Sequence, residues 1–162
     1  MKNVLVIGYG NPLRSDDGAG RRAAELIGER FPHVESLSVH ELHPELAEIA
    51  SGKRLVVFLD AATGTDTVQL HPITPAGTGA VPLSHAIGPE QLLALCKNLY
   101  DTSPEAYLLK IPAYDMTMGE SFSEKTHAAI EGCVGQVGRL LFEERPRNRS
   151  TGRKTPSSGR DS

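Results

Sequence analysis

The chain has 162 residues, 39% of them hydrophobic, and a formal net charge of −3. That length suits one domain with a core of its own, and the composition is that of an ordinary soluble globular protein. Its two cysteines, Cys96 and Cys133, form no C-x-x-C pair and no disulfide framework, which excludes a stapled secreted scaffold and points to a reducing cytoplasm.

The N-terminus enters an apolar run directly, without the charged segment, apolar stretch and cleavage site of a signal peptide. No apolar run approaches the ~18 residues of a membrane span. A cytoplasmic protein with no membrane partner is the expectation. Both cysteines lie in helical-looking stretches and read as small buried apolar residues.

Charge is uneven. Residues 145–162 carry six basic residues against one acid, Asp161, so the tail is +5 and the rest of the chain −8. The tail has no apolar residue, and such a segment cannot bury enough surface to offset the entropy of ordering it. The expected organisation is a domain over 1–144 and a basic, disordered tail over 145–162. Without aromatics, that tail is no argument for a nucleic-acid partner.

In chain order, residues 3–8 form a continuously apolar strand, as expected of a strand buried on both faces of a parallel sheet. A polar loop leads to a helix over 18–30, with Ser15, Asp16 and Asp17 offering an N-cap and negative charge at its start. A second strand spans 34–40, and a short helix runs from Pro44 to Ala50. Residues 54–60 form the clearest buried strand, Leu-Val-Val-Phe-Leu followed by Asp60. A strand over 66–73 belongs at an edge because His71-Pro72 would interrupt a central one. After a loop over 74–83, a helix runs from Gly88-Pro89 to Tyr100, a last strand from 106 to 112, and a final helix from Ser123 to about Glu143. Glycines 132, 135 and 138 in that helix suggest close helix packing. The order β-α-β-α-β-β-α-β-α predicts an α/β three-layer sandwich, a twisted, mostly parallel five-stranded sheet with helices on both faces.

Three segments carry candidate chemistry. Gly8-Tyr9-Gly10-Asn11-Pro12-Leu13-Arg14-Ser15-Asp16-Asp17-Gly18 follows the first strand, Asp60 ends the third, and Ser84-His85 precedes a helix. An open α/β sheet binds ligands beyond the carboxyl ends of its strands, so Asp17, Asp60 and His85 can meet at one point. Two carboxylates and an imidazole suit a borderline divalent ion, and the missing thiolates argue against a closed structural zinc site. Spacing alone does not choose His85 over His40 or His43, which also follow a strand; His33 and His127 read as solvent-exposed.

Rival chemistries fit less well. Gly-x-Gly after a strand suggests a dinucleotide turn, but Leu13 replaces the third glycine and Asp16-Asp17 sets carboxylates where phosphates belong. A serine hydrolase lacks its Gly-x-Ser-x-Gly elbow, and the side chains of adjacent Ser84 and His85 diverge. An uncompensated charge such as Asp60 at the rim of a buried sheet is costly and calls for a partner, whether a dipole, a basic group or a metal.

The opening motif, the strand ending in Asp60-Ala61 and the Ser84-His85 segment together resemble the nickel-iron hydrogenase maturation proteases over roughly residues 2–142. That resemblance implies an endopeptidase that trims the C-terminal extension of a hydrogenase large-subunit precursor once nickel is inserted. Its metal ligands would be Asp17, Asp60 and His85, with the nickel supplied by the precursor. Asp16 is a fallback ligand and a candidate base. The sequence departs from the family where some members carry Glu in place of Asp17. It also lacks the Asp-Gly-Gly-Thr element that some members carry after the second strand; here that region reads Val39-His40-Glu41-Leu42-His43-Pro44-Glu45-Leu46, which leaves the target hydrogenase open. The alternative is a non-catalytic nickel-binding chaperone module.

Overall fold

The computed structural model describes the backbone of residues 2–77 and 86–153, and side chains as far as residue 143. Its five strands are β1 (Val4–Tyr9), β2 (Glu35–Val39), β3 (Leu55–Ala62), β4 (Gln69–Ile73) and β5 (Glu105–Pro112). They lie in the order β2-β1-β3-β5-β4. All neighbours are parallel except β4, which runs antiparallel to β5 at the edge, with Pro72 opposite Tyr107. Pro72 has no N–H to donate, and the edge position spares the sheet a missing bond.

Side-chain alternation along β1 and β3 builds two cores, because successive residues point to opposite faces. Val4, Val6, Leu55, Val57 and Leu59 pack with α1 (Ala19–Arg30) and α4 (Glu124–Arg153). Leu5, Ile7, Val56 and Phe58 pack with α2 (Leu46–Ser51) and α3 (Pro89–Tyr100). Phe58 and the flanking β3 residues from Leu55 to Leu59 are fully buried. Cys96 and Cys133 are buried and free, one in each core. Burial pushes their thiols up to about 11 and about 12, consistent with the inert apolar role expected of them.

The α1 helix lies unusually close to the strands. A Cβ on Gly20 would stand 2.3 Å from the Leu59 carbonyl oxygen and 3.0 Å from that of Tyr9, and one on Gly8 would stand 2.0 Å from the Gly20 oxygen. Backbone therefore meets backbone where α1 crosses the carboxyl ends of β1 and β3.

Three local expectations are corrected. Ser15–Gly18 form a 3₁₀ turn, and α1 is preceded by Gly18 with no side-chain cap; Ser15, Asp16 and Asp17 are engaged elsewhere. Of the α4 glycines, only Gly138 meets another element, its would-be Cβ lying 3.1 Å from the Phe31 ring, whereas Gly132 faces open space. The α4 backbone continues past Glu143 to Arg153. Residues 154–162 of the expected tail lie outside the described residues.

Replacing Gly20 by Ala is expected to destabilise the protein by about 3 kcal/mol, since backbone must move. Gly132→Ala, on a free helix surface, should stabilise it by about 0.5–1 kcal/mol. Urea unfolding of the two variants checks both signs, and similar effects would remove the close contact from the account.

Candidate metal site at the carboxyl edge of the sheet

The carboxyl ends of β1 and β3 are aligned by their register. Gly8 pairs with Leu59, so the residues that follow, Tyr9 and Asp60, emerge side by side. Both continue the Leu5-Ile7 and Val56-Phe58 rows, on the face covered by α2 and α3. On the other flank of β3, Lys110 of β5 pairs with Asp60.

Asp17 reaches this edge from the opposite layer. It stands in the 3₁₀ turn that delivers the chain into α1, and the tight seat of α1 on Gly8 brings that turn over the end of β1. A Cβ on Gly10, whose φ is +146°, would stand 2.1 Å from the Asp17 carbonyl oxygen. The Asn11 N–H donates to Asp17 Oδ2 at 2.8 Å. A carboxylate of the chain itself thus takes the loop N–H that a nucleotide phosphate would need, and the glycines serve helix packing instead.

Asp17 is close enough to Asp60 to perturb it. Burial is the largest influence on Asp60 and the Asp17 charge the next; together they raise its pKa to about 6. The Tyr9 hydroxyl, the Ala61 N–H and the Lys110 charge oppose the rise without cancelling it. A half-buried carboxylate held beside another is a place where a cation would relieve both desolvation and repulsion.

The third expected ligand, His85, lies outside the described residues. The chain on either side of it is anchored: the Ala76 N–H donates to Glu90 O at 2.8 Å, and the Ile87 N–H to Leu42 O at 3.1 Å. Ile87 is buried in the α2/α3 core. Among the described residues no three His, Cys, Asp or Glu side chains are grouped closely enough to hold a metal ion. Of the competing histidines, His43 pairs with Glu41 at 3.5 Å, and His71 bonds Gln69 at 3.0 Å. His33 and His127 are exposed, as expected. His40 is exposed at the end of β2, and its carbonyl accepts the Gly10 N–H at 3.1 Å.

Asp16 takes a different part from the one expected of it. Its side chain is fully buried. Oδ2 accepts the N–H groups of Tyr114 and Asp115 and the Ser123 hydroxyl, and Oδ1 accepts the Ser123 N–H, each at 2.8 Å. Burial alone would raise its pKa, but the N–H donors of Asp115, Ser123 and Tyr114 and the Ser123 hydroxyl outweigh it and hold the group at about 2. A carboxylate so weakly basic and so fully engaged is a brace, neither base nor ligand. It ties the 113–123 loop to the 3₁₀ turn that carries Asp17, aided by Ser15 N–H to Gly119 O at 2.8 Å, Gly119 N–H to Leu13 O at 2.9 Å, and Ser15 Oγ to Thr117 O at 2.8 Å. Ser15 holds a φ of +50° in this arrangement.

Two residues escaped the reading of the sequence. Tyr9 is the variable position of Gly-x-Gly and carried no motif signal, although its place one residue after the strand's last glycine matches that of Asp60 on β3. Glu90, in the first turn of α3, adds its charge to the field at the Tyr9 hydroxyl.

No family model matches the chain. Over 152 residues it is 28% identical to the hydrogenase expression/formation protein HupM of Azotobacter chroococcum mcd 1, a match that covers 87% of this chain and 72% of that protein. Among solved structures it superposes on the [NiFe] hydrogenase maturation protease HycI of Thermococcus kodakarensis KOD1 with a TM-score of 0.67 at 22% identity, covering 86% of this chain and 92% of that one. The hydrogenase maturating endopeptidase HybD of E. coli gives a TM-score of 0.68 at 20% identity, covering 89% and 94%.

The pKa of Asp60 implies a pH-dependent cost. A carboxyl whose folded pKa lies above its unfolded value favours the fold while protonated, and that contribution is lost as pH rises through about 6. Asp60→Asn should therefore raise the thermal midpoint of the metal-free protein at pH 7.5, by a free energy of up to about 3 kcal/mol. Melting curves should converge with wild type below about pH 4. A difference that does not vary with pH would contradict this assignment.

The mostly parallel five-stranded sheet, its helical layers and its single antiparallel edge strand are those of the hydrogenase maturation proteases, and this chain carries their fold.

Proposed function

We propose that this chain is an endopeptidase that removes the C-terminal extension of a nickel-iron hydrogenase large-subunit precursor after nickel insertion. The observation that carries the reading is the Asp17–Asp60 pair, in which the Asp17 charge and burial raise the cost of ionising Asp60, set at the carboxyl edge of the sheet in a fold whose solved examples include such proteases. The similarity to HupM supports the link to hydrogenase formation.

In this reading the nickel belongs to the substrate. Asp17, Asp60 and His85 would supply three oxygen and nitrogen ligands and leave the remaining coordination positions to the precursor. Shared coordination would hold the scissile segment at the sheet edge, which turns recognition of the metal into positioning of the bond. Water then adds to the carbonyl carbon, the C–N bond breaks, and the departing amine takes up a proton. A precursor without nickel would lack the link and escape cleavage. Asp16 contributes by keeping the ligand turn in place and does not touch the substrate.

Lys110 beside Asp60 moderates the negative field without neutralising it, so the free site would bind metal weakly and gain affinity when the precursor brings its own ligands. A nickel chaperone would instead need tight binding alone. No helix of the described residues is long and apolar enough to cross a membrane. We place the reaction in the cytoplasm, where large-subunit assembly would supply the substrate.

Purified protein incubated with nickel-loaded and nickel-free precursor from the same cell should release a C-terminal peptide from the loaded form only, as read by intact mass. Asp17→Asn and Asp60→Asn should each reduce cleavage by more than the about 10- to 100-fold typical of changes outside the ligand sphere. Equal cleavage of both precursors, or normal processing by these variants, would overturn the metal assignment. No cleavage of either precursor would overturn the protease reading.

A further inference from the structure

Asn11 is the member of the Gly8-Tyr9-Gly10-Asn11 turn to which the proposed reaction gives no task. Its backbone N–H donates to Asp17 Oδ2 at 2.8 Å, and its side-chain Oδ1 accepts the Leu13 N–H at 2.9 Å. A backbone N–H can only donate, so the amide oxygen must face Leu13 and the Nδ2 end must face away. Asn11 is half-buried, and among the described residues no group accepts from that NH₂. It is not sealed in the interior either. The neighbouring backbone donors are already spent: Gly10 N–H on His40 O at 3.1 Å, Arg14 N–H on Asn11 O at 3.1 Å, and Asp17 N–H on Arg14 O at 3.0 Å. One residue thus holds the Asp17 carboxylate with its backbone and keeps an oriented, unused donor on its side chain.

We propose that Asn11 is a catalytic residue of the peptide-bond hydrolysis, its Nδ2–H donating to the oxygen of the scissile carbonyl as negative charge builds there. This inference rests on the protease reading and on the place of Asp17 in its site, and it makes no use of a third ligand. As water adds to the carbonyl carbon, the C=O π electrons move onto oxygen. When C=O reforms, the C–N bond breaks and the departing amine takes the proton that the water gave up. The oxygen is negative in between, beside a carboxylate that can only repel it. A donor fixed in advance stabilises that charge without having to reorganise. The bond from Leu13 supplies the fixing, because it closes an Asx turn that locks the amide plane. An asparagine that merely braced the turn would need only its oxygen, whereas the role proposed here needs the nitrogen.

The test separates the two ends of the amide in the full chain. Asn11→Asp keeps an oxygen for the Leu13 N–H and removes the NH₂, whereas Asn11→Ala removes both. Steady-state cleavage of the nickel-loaded precursor gives kcat and KM for each protein, and thermal melting reports the turn. The expected result is a fall in kcat of about 100- to 1,000-fold in both variants, with KM little changed and Asn11→Asp melting as wild type does. Asn11→Asp should be no more active than Asn11→Ala, since it sets a carboxylate against the developing charge. Wild-type kcat in Asn11→Asp, with Asn11→Ala alone impaired, would assign Asn11 to the turn and overturn the catalytic role. A loss of kcat confined to variants that no longer melt like wild type would overturn it equally. Failure of wild type to cleave would overturn the protease reading and this inference with it.

Discussion

The close passage of α1 over the ends of β1 and β3 is the constraint on which the rest of this structure depends. Gly8 and Gly20 have no side chain to keep helix and strand apart, and a methyl group at either would collide with backbone. Because the helix sits so low, the 3₁₀ turn that precedes it is carried across the carboxyl end of β1, and Asp17 arrives within electrostatic range of Asp60. A helix at ordinary distance would leave the two carboxylates on separate layers, each solvated and each ordinary. Core packing on one face of the sheet and ligand geometry on its edge are thus one arrangement.

The arrangement works against stability at one point and is repaid nearby. Asp17 and Asp60 repel, and burial raises the cost of charging Asp60. Only one residue away from Asp17, Asp16 does the opposite: four hydrogen bonds converge on its buried carboxylate and stabilise its ionised form. Asp16 and Asp60 therefore have opposite thermodynamic signs. The brace holds the loop after β5 to the turn and so keeps the strained pair from relaxing apart. A site that accepts a cation, as proposed, would gain from such a frame, since the ion would release the repulsion.

The elements whose physics is local could be read from the residues. Leu55 to Leu59 is a run without polar interruption because the strand is covered on both faces, and Pro72 marked β4 as an edge because it cannot donate to a ladder. Asp60 stood out as a charge directly after a buried run. Asp16 was misread, as its partners at 114, 115 and 123 are about 100 residues away and no local pattern announces them. The turn at Ser15–Gly18 escaped for the same reason: it is held by contacts to Asp115, Thr117 and Gly119 and not by its own propensity. Gly132 and Gly138 look alike in sequence, and only the position of Phe31 separates them. Tyr9 needed the β1–β3 register, which no motif supplies.

The convergence of three distant segments on one ion is the central claim, and paramagnetic line broadening tests it most directly. Ni²⁺ would be titrated into isotope-labelled protein while the backbone amide resonances are followed. The account predicts that resonances of Asn11 to Asp17, of Asp60 to Ala62 and of His85 broaden together over a single titration. Broadening centred on His40 and His43, with Asp17 and Asp60 untouched, would contradict it.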